Sequence, residues 1–173
     1  YLGLGLKTIE DSLQGLNIVW YAFILKIIFT SITLTFGGSG GIITPIFFIG
    51  ATSGIFFANI FHLDKSIYAS IGMVSLLAGT ANTPIAGSIM AVELFGSKIA
   101  PYAAIACIIS FFMTGHRSVY PSQMLGVRKS ILIDVELGKE INRVNIQHKP
   151  ENEVIIRAML NVIDKIKMRI LKK

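Results

Sequence analysis

The chain contains four long apolar stretches, and their lengths limit the folds open to it. They cover residues 15–36, 42–61, 66–95 and 99–113, and Lys26 and Glu93 are the only Asp, Glu, Lys or Arg residues within them. A straight helix needs about 20 apolar residues to cross a bilayer, which the second stretch provides, whereas the others are interrupted or short. The pattern therefore predicts an all-α membrane protein in which several helices are broken or span only part of the bilayer.

The composition and the distribution of charge support this interpretation. The chain is 53% hydrophobic and 15% charged, whereas a soluble domain carries about a quarter charged residues. Residues 1–126 contain five Lys or Arg and four Asp or Glu, and residues 127–173 contain eleven and six. Because basic segments that flank membrane spans stay in the cytoplasm, we predict a membrane domain at 1–126 and a cytoplasmic tail at 127–173, with the protein in the plasma (cell inner) membrane.

Periodicity and turn residues predict the individual elements. Residues 1–14 read as a connecting segment, and the start at Tyr1 rather than Met indicates a fragment. Helices are expected over 16–36, from about 42, over 66–77, from 84 to 93–96, over 101–113, and again from 119–123. In the tail, 131–135 alternate as a short strand does, and 155–170 form a basic amphipathic helix that either lies on an anionic leaflet or packs on another domain. The tail lacks interleaved aromatic residues, so no nucleic-acid partner is predicted.

A glycine-rich break separates the first two apolar stretches. Gly37 to Gly41 cannot continue a lipid-exposed helix, and Pro45 then lies in the first turn of the next helix, where its missing N–H breaks no intrahelical bond. The amides of Ile42 and Ile43 would point out of that helix N-terminus, and Gly40 and Gly41 would let an anion approach them. A simple packing hinge accounts for the same residues, so the pattern by itself leaves both interpretations open.

Two side chains offer additional chemistry. The hydroxyl of Tyr120, which follows a polar loop, is able to donate one hydrogen bond to an anion, although an interfacial aromatic anchor explains it equally simply. Lys26 lies well inside the first apolar stretch. A charge at that depth indicates a transport role, or else a long side chain that reaches the interface or lines an aqueous vestibule.

Three ordered segments of the chain resemble the CLC family of chloride channels and proton-coupled anion antiporters. The segment from Gly37 to Pro45 resembles the GxFxP-type element of that family, with Ile43 where many members have Phe. The segment from Leu77 to Gly87 is similar to the one that precedes a later family helix. Finally, Val119-Tyr120-Pro121 resembles the last membrane segment, which carries the pore tyrosine. Together these segments cover roughly residues 16–126.

The resemblance implies a multi-helix transporter domain with broken, tilted and partly spanning helices. It implies that the amides of Ile42 and Ile43 and the hydroxyl of Tyr120 coordinate a chloride or fluoride ion, supported by Gly40, Gly41, Thr44 and Pro45. It also implies a homodimer in the lipid bilayer, with residues 84–113 at the interface. The gating glutamate and the serine-bearing loop of the family are absent from this chain, and the resemblance assigns them to a preceding N-terminal half.

Three further interpretations compete with chloride transport. A fluoride-exporting branch of the family resembles the chain from Gly41 to Pro45 and at Tyr120, and the Thr44 hydroxyl would suit a small, strongly hydrated anion. A structural membrane subunit without an ion site of its own would tolerate a large side chain at Gly41. An intramembrane hydrolase is disfavoured because His62, His116 and His148 form no metal-binding motif. Accordingly, we predict a protein that is not an enzyme, without catalytic residues, metal ligands or cofactors.

Overall fold

The structure, a computed structural model, is divided into two compact units. These are Tyr1–Tyr120 and Pro121–Lys173, so the division falls six residues before the predicted boundary at 126/127. The structure describes residues 3–38, 40–115, 117–124, 126, 129, 133–134, 138–141 and 147–148. The predicted amphipathic helix over 155–170 lies outside these residues.

Six α-helices make up the described part of the first unit. They are α1 (Leu6–Leu13), α2 (Ala22–Thr35), α3 (Ile43–Phe61), α4 (Lys65–Thr80), α5 (Pro84–Phe95) and α6 (Ala100–Thr114). In the second unit, two short antiparallel strands, β1 (Ile133–Asp134) and β2 (Gln147–His148), pair with each other. The helical architecture agrees with the prediction from the apolar stretches, and β1 lies within the segment predicted as a strand.

The antiparallel pair formed by α3 and α4 is the centre of the first unit. Glycines allow the two backbones to touch: a Cβ added at Gly50 would lie 2.6 Å from the Gly72 carbonyl oxygen, and one added at Gly54 would overlap the Tyr68 carbonyl. Close approach of this kind is typical of helices that pack in a bilayer, where dispersion contacts between backbones replace the hydrophobic effect. The sequence analysis predicted this small-residue face of α3 from Gly50 and Gly54.

Helices α5 and α6 pack on the other side of α4, again through small residues. Gly87 of α5 faces Ala78 and Cys107, with an added Cβ only 2.9 Å from the Ala78 Cβ. Gly79 of α4 faces the hydroxyl groups of Ser110 and Thr114 on α6. The buried core therefore runs along α3, α4 and α6, with Phe48, Ile55, Val74 and Cys107 among its fully buried side chains.

Several hydroxyl side chains inside the helices donate to their own backbone, so these groups present no unpaired donor to the apolar surroundings. The pattern is the bond from residue i to the carbonyl of residue i−4. It occurs at Thr33, Thr52, Ser70, Thr80, Ser88 and Thr114, with oxygen–oxygen distances of 2.7–2.8 Å. Apolar helices can therefore carry these residues without a buried polar group that lacks a partner.

Many large apolar side chains of the first unit are exposed. The exposed faces of α2, α5 and α6 include Ile28, Ile32, Ile85, Ile105 and Phe112. Of the described helices, α3 is long and apolar enough to cross a bilayer, and α2, α5 and α6 are apolar but shorter. This arrangement matches the expectation of one full span beside broken or partial ones.

Three predicted boundaries were wrong. Residues 6–13 form α1 rather than a connecting segment, because burial of Ile9 and Ser12 stabilises a helix there. The helix predicted from residue 16 begins only at Ala22, since Gly15, with a positive φ, follows the end of α1 and residues 16–19 form no regular secondary structure. Residues 117–124 contain no helix; Pro121 disfavours helical geometry at the residue before it.

The contact between α3 and α4 leads to a stability prediction. Gly50→Ala should destabilise the full-length protein by about 1–3 kcal/mol, because the added methyl group meets backbone atoms that cannot rotate away. Thermal unfolding in detergent measures this effect. Asn59→Ala, at an exposed position of the same helix, is the matched control and should leave the midpoint nearly unchanged; equal midpoints for both variants would contradict the packing argument.

Candidate functional site

The glycine break divides into two parts with different structural roles. Gly37 adopts an αL conformation with φ of 76°, and the Gly38 N–H donates to the Thr33 carbonyl at 2.8 Å. These are the features of a Schellman motif, which satisfies carbonyl groups at the end of α2. A Cβ at Gly38 would lie 2.6 Å from the Thr33 methyl group. The first two glycines therefore end α2.

The second pair of glycines borders open space. A Cβ added at Gly40 or Gly41 would meet no atom within 4 Å. Helix α3 starts directly after them, with Ile42 as its N-cap residue, and no side chain of the described residues caps it. Its first intrahelical bond runs from the Ile46 N–H to the Ile42 carbonyl, at 3.2 Å. The preceding amides, including those of Ile42 and Ile43, thus have no hydrogen-bond acceptor among the described residues, as is typical of a helix N-terminus.

A cavity of about 300 Å³ lies at this N-terminus. Four of the predicted site residues line it, namely Gly40, Gly41, Ile42 and Pro45. Its lining also includes Gly3, Leu4, Lys26, Phe29, Thr30, Thr33 and Leu34. Ile43, Thr44 and Tyr120 are not among the residues that line it. The Ile43 side chain is 44% exposed, so its predicted contribution concerns its amide and not its side chain.

Lys26 is buried at the wall of the cavity. It is only 4% exposed, its Nζ donates to the Gly3 carbonyl at 2.5 Å, and the same atom lies 5.1 Å from the centre of the Phe48 ring. Both contacts are typical of an ammonium group, which donates to carbonyls and interacts with the face of an aromatic ring. Lys26 therefore lines a cavity instead of reaching the interface, and these contacts do not decide whether it has a role in transport.

Thr30 and Thr33 extend the polar wall along the helix. They follow Lys26 at intervals of four and three residues, so all three lie on one face of α2 and line the same cavity. Seven residues of helix cover about 10 Å. Sequence reasoning did not connect them, although a polar stripe at helical spacing in an otherwise apolar helix was the available signal.

Tyr120 is held near the same end of the α3–α4 pair. The Val119 N–H donates to the Thr80 carbonyl at 2.8 Å, in the last turn of α4. Because Gly50 faces Gly72 and Gly54 faces Tyr68, the antiparallel register brings the first turn of α3 level with the last turn of α4. The segment that carries Tyr120 is therefore attached at the end of the pair where the amides of Ile42 and Ile43 lie.

The break after α4 provides this attachment point. Asn82 adopts an αL conformation with φ of 61°, and the Thr83 N–H donates to the Ala78 carbonyl at 3.0 Å, which again forms a Schellman motif. Pro84 then begins α5 as predicted, but the predicted cap, Thr83, makes no side-chain capping bond. The end of α4 is thus well defined, and the Thr80 carbonyl is free of the helix ladder and accepts from Val119.

The described residues contain no group of three or more His, Cys, Asp or Glu side chains placed to hold a metal ion. His62 is exposed at the end of α3, and His116 lies outside the described part of the chain. The donors that line the cavity include backbone amides and one lysine, and these groups suit an anion rather than a cation.

Comparisons with known proteins identify the family. Residues 1–115 match the family described as voltage gated chloride channel. A chloride/fluoride channel protein of Pseudomonas syringae pv. tomato is 46% identical over 129 residues, which are 75% of this chain and 28% of that protein. The voltage-gated ClC-type chloride channel ClcB of Salmonella typhimurium is 32% identical over 109 residues, 57% of this chain and 26% of that one.

A solved structure has the same architecture. The crystal structure of a CLC-type fluoride/proton antiporter superposes with a TM-score of 0.65 at 32% sequence identity, over 69% of this chain and 30% of that one. The chain thus spans less than a third of the length of each of these relatives. On the strength of the family match and the shared fold, the chain belongs to the CLC family of voltage-gated chloride channels.

Proposed function

We propose that the full-length protein transports a halide ion, chloride or fluoride, across the membrane as a CLC-type channel or anion/proton antiporter. In this proposal the present chain supplies part of the anion site. The observation that carries the proposal is the N-terminus of α3, which no described side chain caps and where the Gly40 and Gly41 backbone leaves open space in front of the amides. Amides bind an anion without a full charge, which favours both entry and release.

The proposal assigns the following roles to the site residues. The amides of Ile42 and Ile43 coordinate the ion, and the Tyr120 hydroxyl donates a further hydrogen bond to it. Support for Tyr120 comes from the hydrogen bond between Val119 and Thr80, which attaches its segment at the same end of the α3–α4 pair. Gly40, Gly41, Thr44 and Pro45 support the site by shaping the turn and the start of the helix.

The proposal also covers the oligomeric state of the protein and its orientation in the membrane. Helices α5 and α6 present an exposed apolar groove that Ile85, Ile89, Val92 and Ile108 help to line, and we assign it to the interface of a homodimer, as in the family that the sequence resembles. The excess of Lys and Arg in 127–173 favours a cytoplasmic tail on a protein of the plasma (cell inner) membrane. The resemblance assigns the remaining site residues to other parts of the full-length protein.

Gly41→Leu is the direct test of the site. Since a Cβ added at Gly41 meets no atom within 4 Å, the leucine side chain has open space at its base and should extend into the space in front of the amides. Halide efflux from liposomes that contain the full-length protein, followed with chloride and fluoride electrodes, should fall about tenfold or more. Gly126→Leu, also at an open glycine, is the matched control. Unchanged efflux with Gly41→Leu would indicate a structural subunit without an ion site.

Tyr120→Phe tests the proposed hydroxyl donor. A hydrogen bond to a charged group contributes about 1.5–3 kcal/mol, so its loss should weaken halide binding about tenfold or more. Titration calorimetry of the full-length protein in detergent measures the binding constant. Tyr102→Phe removes a hydroxyl from an exposed tyrosine of α6 and serves as the control. Equal binding by both variants would remove Tyr120 from the site.

Fluoride as the transported ion is a second candidate, favoured by the names of two relatives and by Thr44. One relative is a chloride/fluoride channel protein and another a fluoride/proton antiporter. Thr44→Val keeps the shape of the side chain and removes its hydroxyl, so the ratio of fluoride to chloride efflux should fall several-fold, about the effect of one hydrogen bond. Thr35→Val, at an exposed position of α2, should leave the ratio unchanged. A ratio that does not move in Thr44→Val would show that this hydroxyl does not set ion preference.

A further inference from the structure

The cavity at the start of α3 contains one charged side chain whose role the proposed anion site does not include. Lys26 belongs to α2, faces the cavity together with Gly40, Gly41 and Ile42, and is 4% exposed. Of the described residues that line the cavity, it is the one Asp, Glu, Lys or Arg. An ionisable residue inside an apolar membrane helix is unfavourable, and such residues mark ion pathways.

Two contacts fix the position of this charge. The Gly3 carbonyl accepts a hydrogen bond from Nζ at 2.5 Å, and the Phe48 ring lies 5.1 Å away. Phe48 is itself 1% exposed, and its ring packs against Gly5, whose αL conformation and lack of a Cβ allow the close approach. The ammonium is thus anchored to rigid groups on two sides, so it does not move freely through the cavity.

We propose that Lys26 sets how strongly the cavity attracts an anion, by holding a fixed positive charge on the wall that it shares with the first turn of α3. This inference rests on the proposed function, since it assumes that the cavity receives a halide. A mobile lysine would pair directly with the ion and release it slowly. A lysine held by a carbonyl and a ring instead raises the local anion concentration and leaves the coordination to the amides.

The same contacts connect the charge to the shape of the cavity. Gly3 and Leu4 form part of the lining, and Lys26 is hydrogen-bonded to Gly3. A variant that removes the ammonium therefore removes a charge and a hydrogen bond together. The experiment must separate these two effects, and the response of transport to ionic strength does so because only the charge effect is screened by salt.

Lys26→Met is compared with Lys26→Arg in liposomes that contain the full-length protein. Efflux is measured as a function of halide concentration, with fluoride and chloride in turn. Lys26→Met should raise KM about five- to tenfold, which is the order of magnitude for the loss of one unit charge that acts on the ion from a distance through a partly aqueous medium. It should leave kcat within about twofold. Lys26→Arg keeps the charge and should stay close to the wild type. Lys7→Met, which removes a lysine at an exposed position of α1, is the matched control.

Ionic strength provides the readout that a purely structural lysine would not change. Raising the concentration of an impermeant salt from about 0.01 M to about 0.3 M shortens the screening length from roughly 30 Å to less than 10 Å. The difference in KM between the wild type and Lys26→Met should shrink over this range. A difference that is independent of salt, or an equal effect of Lys7→Met, would overturn the proposal.

Three further outcomes distinguish a structural role of Lys26, failure of this inference and failure of the proposed function. If Lys26→Met and Lys26→Gln both fail to give a folded protein by size-exclusion chromatography while Lys26→Arg folds, Lys26 holds the fold together and the assignment to anion attraction is wrong. If the wild-type protein transports a halide and Lys26→Met has an unchanged KM, only this inference fails. If the wild-type protein transports neither halide, the proposed function itself fails.

Discussion

The backbone contact between α3 and α4 is the constraint on which the rest of the first unit depends. Because the contact joins backbone atoms at Gly50 and Gly72, no side chain can rotate to relieve a shift between the two helices. The register of the pair then fixes the first turn of α3 beside the last turn of α4. A site made of amides needs this rigidity, since donors stabilise an ion best when they need not reorganise on binding.

The break between α2 and α3 combines two requirements that conflict in an apolar environment. The carbonyls at the end of α2 must find donors, and in the proposed site the amides at the start of α3 must stay available for an anion. The Gly37–Gly38 turn meets the first requirement with a Schellman motif, and the open space at Gly40 and Gly41 meets the second. The glycine-rich break thus pairs the carbonyls at the end of α2 and leaves the amides at the start of α3 accessible.

The sequence was sufficient to predict the membrane class, the breaks and the start of α3, because these depend on local properties: apolar length, glycine flexibility and the geometry of Pro45. It was insufficient to predict α1, because this helix is stabilised by the burial of Ile9 and Ser12 against other helices. It also did not reveal that Lys26 contacts Gly3 and Phe48. Those partners lie 23 and 22 positions away, and they meet Lys26 only because α2 and the segment before α1 both pack against α3.

The cavity thus combines two kinds of positive potential that act over different distances. The amide dipoles at the start of α3 are partial charges whose effect falls off within about one helical turn, so in the proposed site they determine where an ion rests. The Lys26 ammonium is a full charge, but its contacts with Gly3 and Phe48 hold it in the wall. Its field reaches further than that of the dipoles, and so it affects how often an ion arrives. This separation allows attraction without tight binding, which is what passage of an ion requires.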